Sequence, residues 1–327
     1  MNITIISFVL GAVVCMQPLF ADNPEAKITV HVVDDQGHSL IKFPVGMGVI
    51  SGWKPGEGFG TDLTESWTNI TDANGMTTAT HKCYNPKIGV WVQGINGYYS
   101  SRITYNYTNA IAGKLQPWNP TVEFVVKPIL NPIPMYARNM GVMGSNFKLP
   151  AKNTPIGFDL EAADFVAPYG KGTSSDFIFT LSDIASTNAT QKPTESALTI
   201  TFPNKGDGIQ PVISSEINQG SVFSLPRYAP EGGYQATLVQ KYSQVWVHGR
   251  LQENQNYFYR VRTVIDEKGN VKSALYGKIA GPIECGAQGY IQFTYYLNPN
   301  PNDRNMEFDP NKNLFQNLSI IQQVKAP

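Results

Sequence analysis

KITVHVVDDQG, Lys27–Gly37, decides the fold class. Ile28, Val30 and Val32 alternate with Thr29 and His31. That period of two places the apolar side chains on one face of a half-buried strand. The run stops at Asp34-Asp35-Gln36-Gly37, residues that tolerate the positive φ of a tight turn. The same grammar recurs downstream. Val45–Ile50 is apolar, and Thr71-Asp72-Ala73-Asn74-Gly75-Met76-Thr77 reads as an Asn-Gly hairpin turn between Thr-rich strands. Ile88–Gly94, Tyr98–Asn106 and Thr121–Lys127 supply three more strands. Beyond Leu130-Asn131-Pro132-Ile133-Pro134, further strands are expected at Asp176–Leu181, Ser196–Pro203, Tyr234–Gln240, Tyr242–Gly249, Asn256–Val264 and Val271–Ile279. Helical periodicity is nearly absent, so an all-β protein built of two β-sandwiches in tandem is expected.

The ends and the composition bound the compartment and the partners. Ile3–Phe20 is apolar apart from Thr4, Ser7, Gly11, Gln17 and Pro18, and Ala21 precedes the polar Asp22-Asn23-Pro24-Glu25. This is the form of a secretory signal, with cleavage expected after Ala21, although no Lys or Arg precedes the apolar run. Val13 and Val14 do not suit a lipid-attachment site at Cys15. The product is therefore expected to be exported, whether to the periplasm, the cell surface or the medium. No later apolar stretch is long enough to span a membrane once the signal is removed. Net charge is zero and only 15% of residues are charged, so the basic face of a nucleic-acid binder is missing.

About 300 residues remain after cleavage, more than one small core organises, so two domains are expected. The boundaries are a signal at 1–21, a first sandwich at 22–128, a proline-marked linker at 129–139 and a larger sandwich at 140–327. Cys83 and Cys285 read as buried thiols, with a disulfide as the alternative. The histidines sit in no zinc-ligand spacing, and neither a metal nor a cofactor is expected.

The opening strand with its Asp-Asp-Gln-Gly turn, the Thr-Asp-Ala-Asn-Gly turn and the Gly97-Tyr98-Tyr99 strand resemble the carboxypeptidase regulatory-like modules, which are transthyretin-like, immunoglobulin-like sandwiches. That resemblance covers about Lys27–Lys127 and implies a spacer or stabilising appendage rather than a catalyst. Asn256–Val264 with Val271–Ile279 resembles the closing hairpin of a fibronectin type III domain, placed at 234–283 within a longer region carrying insertions. In that reading Tyr257, Tyr259 and Val261 face inward, and Arg260 and Arg262 face solvent. The chain also resembles exported bacterial proteins that pair two such halves, and no activity comes with that resemblance. Asp309-Pro310 could cap a terminal helix bearing Leu314, Leu318 and Ile321 on one face, the alternative being an extended tail.

Catalytic signatures are absent: no GxSxG, HExxH or GxxxxGK[ST] occurs, so no catalytic residue is assigned and the enzyme question stays open. Asp159, Glu161 and Asp164 lie close together but lack the alternation of a calcium loop. The candidate ligand-binding residues are Trp53, Phe59 and Trp67, on a glycine-rich segment expected to be a long loop. Flat rings on such a loop serve as stacking platforms for sugars; the structural alternative is that they cap the open end of the sandwich. Three functions fit: a non-catalytic module binding a polysaccharide or an envelope protein, a structural part of an envelope assembly, or a glycan-active enzyme with a dispersed site.

Overall fold

Apart from two 3-10 turns, every helix or strand among the described residues of the computed structural model is a β-strand. It describes residues 22–56, 60–93, 95, 97–141, 147–184, 195–218, 220–243, 255–286 and 288–327. The expected signal segment 1–21, Phe59 and most of Tyr242–Gly249 lie outside the described residues. Contacts divide the chain into two units, Met1–Gln93 with Arg102–Phe124, and Gly94–Ser101 with Val125–Pro327.

The first unit holds β1 (Glu25–Val33), β2 (Pro44–Lys54), β3 (Thr61–Ile70), β4 (Met76–Lys82), β5 (Lys87–Val92), β6 (Ser101–Asn106), β7 (Asn109–Ile111), β8 (Lys114–Gln116) and β9 (Thr121–Val125). One sheet runs β4-β1-β8-β7 with β9 also on β1, and the other runs β3-β2-β5-β6. Ile28, Val30 and Val32 on one sheet, and Val45, Met47, Ile88 and Val90 on the other, are buried, as their alternation requires.

Two aspartates close turns of this unit in one way. Asp34 Oδ1 accepts the N–H groups of Gln36 and His38, and Asp72 Oδ1 accepts those of Asn74 and Met76. Gly37 and Gly75 take the positive φ each turn needs, 83° and 73°. The Asn-Gly turn, however, does not make the expected hairpin. It joins β3 to β4, which are edge strands of different sheets, so the chain turns a corner instead of pairing with itself. The hairpin partner of β3 is β2: Pro44 pairs with Ile70 at one end and Lys54 with Thr61 at the other.

The second unit is a β-sandwich-like pair of antiparallel sheets. Its strands are β10 (Tyr136–Met140), β11 (Ile156–Asp159), β12 (Asp164–Phe165), β13 (Phe177–Ile184), β14 (Glu195–Thr201), β15 (Gly208–Pro211), β16 (Thr237–Ser243), β17 (Tyr257–Ile265), β18 (Val271–Cys285) and β19 (Ile291–Asn298). They pair as β10-β19-β18-β17-β15 and β12-β11-β13-β14-β16. An aromatic core joins the two sheets, with Phe177 against Tyr259 at 5.0 Å and Phe179 against Phe293 at 6.0 Å. Residues 129–139, expected as a linker, include most of β10; Met135 and Ala137 are fully buried. The tail forms no helix beyond one 3-10 turn at Pro310–Lys312, capped by Asp309, and turns again at Ser319–Gln323.

The sheet containing β18 is covered on its second face too, by residues such as Leu225, Ala229, Met306, Phe308 and Val324. Charged groups are enclosed in that layer. Glu307 is wholly buried; its carboxylate accepts from Tyr99 Oη, Leu130 N and Asn131 N, each at 2.9 Å, and pairs with Arg227. Burial opposes its ionisation, but these donors together hold the carboxyl below its ordinary range. Lys127, Arg227 and Lys278 surround the Phe223 ring at 4.8, 5.3 and 4.9 Å. Lys278 Nζ donates to the main-chain oxygens of Met306 and Pro327 at 2.7 and 3.0 Å. Burial first, then the Lys127 cation, push the Lys278 ammonium down to about 7.

Removing the carboxylate breaks the buried Glu307–Arg227 ion pair and strips Tyr99 Oη, Leu130 N and Asn131 N of this acceptor, so Glu307→Ala should lose about 3–5 kcal/mol of stability in urea unfolding. A loss under about 1 kcal/mol would show that the cluster contributes little. Lys278 binds its proton less well folded than unfolded, so the unfolded chain holds more protons above about pH 7 and stability rises with pH. Between about pH 7 and 9 the urea midpoint should therefore climb more steeply in the wild type than in Lys278→Met. Equal slopes would mean that Lys278 keeps its proton inside. Cys83 and Cys285 are free and buried, and burial pushes their thiols up to about 11 and 12. Neither should label with a thiol reagent in the native protein, and both should label in denaturant, as read by peptide mapping.

Candidate functional site

The corner at Asp72–Gly75 has a consequence for the surface. Because β3 and β4 belong to different sheets, their facing edges stay apart and leave an open groove of about 720 Å³. Thr64, Glu65, Ser66, Trp67 and Asn69 line it from β3, and Thr78, Ala79, Thr80 and His81 line it from β4. Along β3, Trp67 and Asn69 are the half-buried positions among exposed neighbours. Trp67 reaches across to His81, with ring centres 4.7 Å apart and planes within 12°. His81 Nε2 lies 3.1 Å from Glu65 Oε2, and Asn69 Nδ2 donates to Thr78 O at 3.2 Å. The floor is thus a stacked aromatic pair, framed by hydroxyls, one amide and one carboxylate.

The expected site residues fall in different places. The segment around them is mostly strand, not the long loop expected, because β2 and β3 continue as a paired ribbon to Lys54 and Thr61. Trp67 is in the groove. Trp53 is 49% exposed near the ribbon's tip, paired with Asp62, while Trp67 pairs with Met47. Met47 and Trp53 are six strand steps apart, about 20 Å at the usual rise, so the two tryptophans do not share one site. The Trp53 indole lies across Gly60, where a Cβ would come within 1.9 Å of it. Phe59 lies outside the described residues. His81 and Glu65 complete the groove and were not foreseen. The sequence shows them only as single polar residues in Thr-rich strands, and their meeting depends on the corner.

Other chemistry-bearing residues serve the fold. Arg262 does not face solvent on a regular strand. It occupies an irregularity of β17 with φ 54°, and its guanidinium pairs with Asp176 at 2.8 Å, Glu161 at 2.9 Å and Asp159 at 3.4 Å. Asp159 also accepts four backbone N–H groups, from Glu161, Ala162, Thr173 and Ser174. Against the cost of burial, those bonds hold its carboxyl below the ordinary range. Asp164 accepts from Phe165 N and Lys171 N. These oxygens are directed at the protein itself. Arg260 donates to the carbonyls of Gly206 and Glu231. Among the described residues no cluster of three metal-ligating side chains forms, and no helix is long and apolar enough to cross a membrane. In comparison with known proteins, the chain matches no family model and no curated protein.

Proposed function

We propose that this is an exported, non-catalytic envelope protein that holds a polysaccharide in the groove between β3 and β4. The observation that carries the reading is the Trp67 ring, set flat on His81 in an open groove lined by hydroxyl and amide groups. A sugar ring offers an apolar face to an aromatic platform and hydroxyls to polar neighbours, and Glu65 and Asn69, two residues to either side of Trp67, share its face of the strand. The groove is open, and its lining runs along β3 from Thr64 to Asn69, about 17 Å at the usual rise, which suits a chain better than a monosaccharide. Only one carboxylate, Glu65, lines it, and that group is engaged by His81. A glycosidase pair needs two carboxyl groups.

Within this reading the first unit is a carboxypeptidase regulatory-like sandwich, the second is a fibronectin type III-like sandwich with insertions, and residues 1–21 direct export. The apolar run at Ile3–Phe20 and the turn sequences support these assignments. One stacking contact contributes on the order of 1 kcal/mol beyond area burial, so binding is weak for a single copy and strengthens when several copies meet one polymer.

Affinity electrophoresis through gels containing soluble polysaccharides tests the proposal. The wild type should be retarded by at least one polysaccharide. Trp67→Ala should lose that retardation, while Trp53→Ala, at the ribbon tip, should keep it. Equal retardation of the wild type and Trp67→Ala, with both folded by circular dichroism, would place binding elsewhere. No retardation on any polysaccharide would sink the reading.

A further inference from the structure

The charges around the Trp67 groove restrict the kind of polymer it can hold. Among the described residues that line it, the only titratable side chains are Glu65 and His81; no lysine or arginine is present. Both His81 ring nitrogens are already engaged by the chain. Nδ1 lies 3.1 Å from the main-chain oxygen of Lys82, and Nε2 lies 3.1 Å from Glu65 Oε2. Neither is left to meet an anionic ligand. The lysines beside this part of β4 are turned elsewhere. Lys82 pairs with Asp22 at 3.1 Å, and Lys27, opposite Thr80 on β1, sits 6.0 Å from the centre of the Trp118 ring.

Beside its aromatic platform the groove offers acceptors. Glu65, Trp67 and Asn69 alternate along one face of β3, so a carboxylate and an amide flank the indole. His81 holds Glu65 through Oε2, which leaves Oε1 and a side chain 54% exposed. Asn69 donates its N–H to Thr78 O at 3.2 Å and keeps its carbonyl oxygen as an acceptor. A sugar hydroxyl can donate to either oxygen. An ionised carboxylate or sulfate on the sugar has no proton to donate. It would also set a second negative charge beside Glu65 with no lysine or arginine in the lining to offset it.

We propose that the groove is selective for neutral polysaccharides and that Glu65 is its specificity-determining residue. The carboxylate accepts a hydroxyl of a neutral sugar ring seated on Trp67, a charge-assisted bond, and repels a ring that carries an acid. This selectivity rests on the groove being the polysaccharide site. Two unit charges a few ångströms apart in water repel enough to weaken binding about fivefold, and more where the sugar displaces the water between them. At an exposed side chain that repulsion is screened by salt. The discrimination against acidic polymers therefore has its own signature: it depends on Glu65 and shrinks as ionic strength rises.

The test uses polymer pairs that share a backbone and differ in charge, in affinity gels at low and high salt. Hydroxyethyl cellulose is set against carboxymethyl cellulose, and methyl-esterified pectin against polygalacturonate. Only retardation that Trp67→Ala loses is counted, so binding elsewhere on the surface does not enter. At least one neutral polymer should retard the wild type, with its acidic counterpart about fivefold weaker or more at low salt. High salt should narrow that gap, and so should Glu65→Gln, checked for folding by circular dichroism. Retardation by the acidic members equal to or above that of the neutral ones overturns the selectivity and leaves the groove as the site. A gap unchanged by salt, or unchanged in folded Glu65→Gln, overturns the role of Glu65. If no polymer gives Trp67-dependent retardation, the groove is not the site and the selectivity falls with it.

Discussion

One carboxylate organises the second unit. Glu307 lies in a loop after the last strand, and four donors from three distant stretches of chain converge on it: Tyr99, Leu130 with Asn131, and Arg227. None of those stretches is a regular strand at the point of contact, so no ladder of backbone bonds fixes them. The ion does. A buried carboxylate tolerates no missing partner, and that intolerance determines where each stretch must run. Lys127, Arg227 and Lys278 around Phe223 then follow as the cationic side of the same layer. The sheet beneath is apolar on its other face, so the polar layer adds specificity where hydrophobic burial alone would accept many arrangements.

A different constraint shapes the first unit. Asp72 binds the backbone N–H groups two and four residues on, and Gly75 supplies the positive φ that completes the turn. Asp266 and Gly269 repeat the device between β17 and β18, where the flanking strands do pair. The turn chemistry is the same and the outcome differs. In the first case β1 and β2 already hold β4 and β3 in separate sheets. The local turn fixes the change of direction, and the sheets decide whether the two arms meet. The groove exists because they do not.

This explains what the sequence could and could not show. Alternation was enough for β1, β13 and β17, because a period of two survives whatever the strand pairs with. At β19, Ile291–Asn298, it holds only for the first five residues, Ile291, Phe293 and Tyr295 against Gln292 and Thr294, and is lost where Tyr295, Tyr296, Leu297 and Asn298 are all buried. A strand covered on both faces has no polar side to alternate with. Arg262 was misplaced because an irregularity of β17 turns it towards Asp159 and Asp176, and a side-chain pattern carries no mark of one extra residue. The glycines between Ser51 and Trp67 suggested a loop, yet Gly52 pairs with Leu63 within the ribbon. Of the candidate site, Trp67 was legible as a large ring in a thinly charged stretch. Its partner His81 was not, since thirteen residues and a sheet change lie between them.

The enclosed polar groups also separate what the fold needs from what it leaves open. Asp159, Asp176, Glu307 and Arg262 each meet partners from more than one segment. Such groups are architectural, and their burial is balanced within the chain. Lys278 is an intermediate case, with two main-chain oxygen acceptors, two aromatic faces and a proton held weakly. Arg138 stands at the other limit. It has the burial of a core residue at Nε, an aromatic neighbour and no acceptor for Nε among the described residues. An apolar side chain would satisfy the packing of β10 at that position with no desolvation cost.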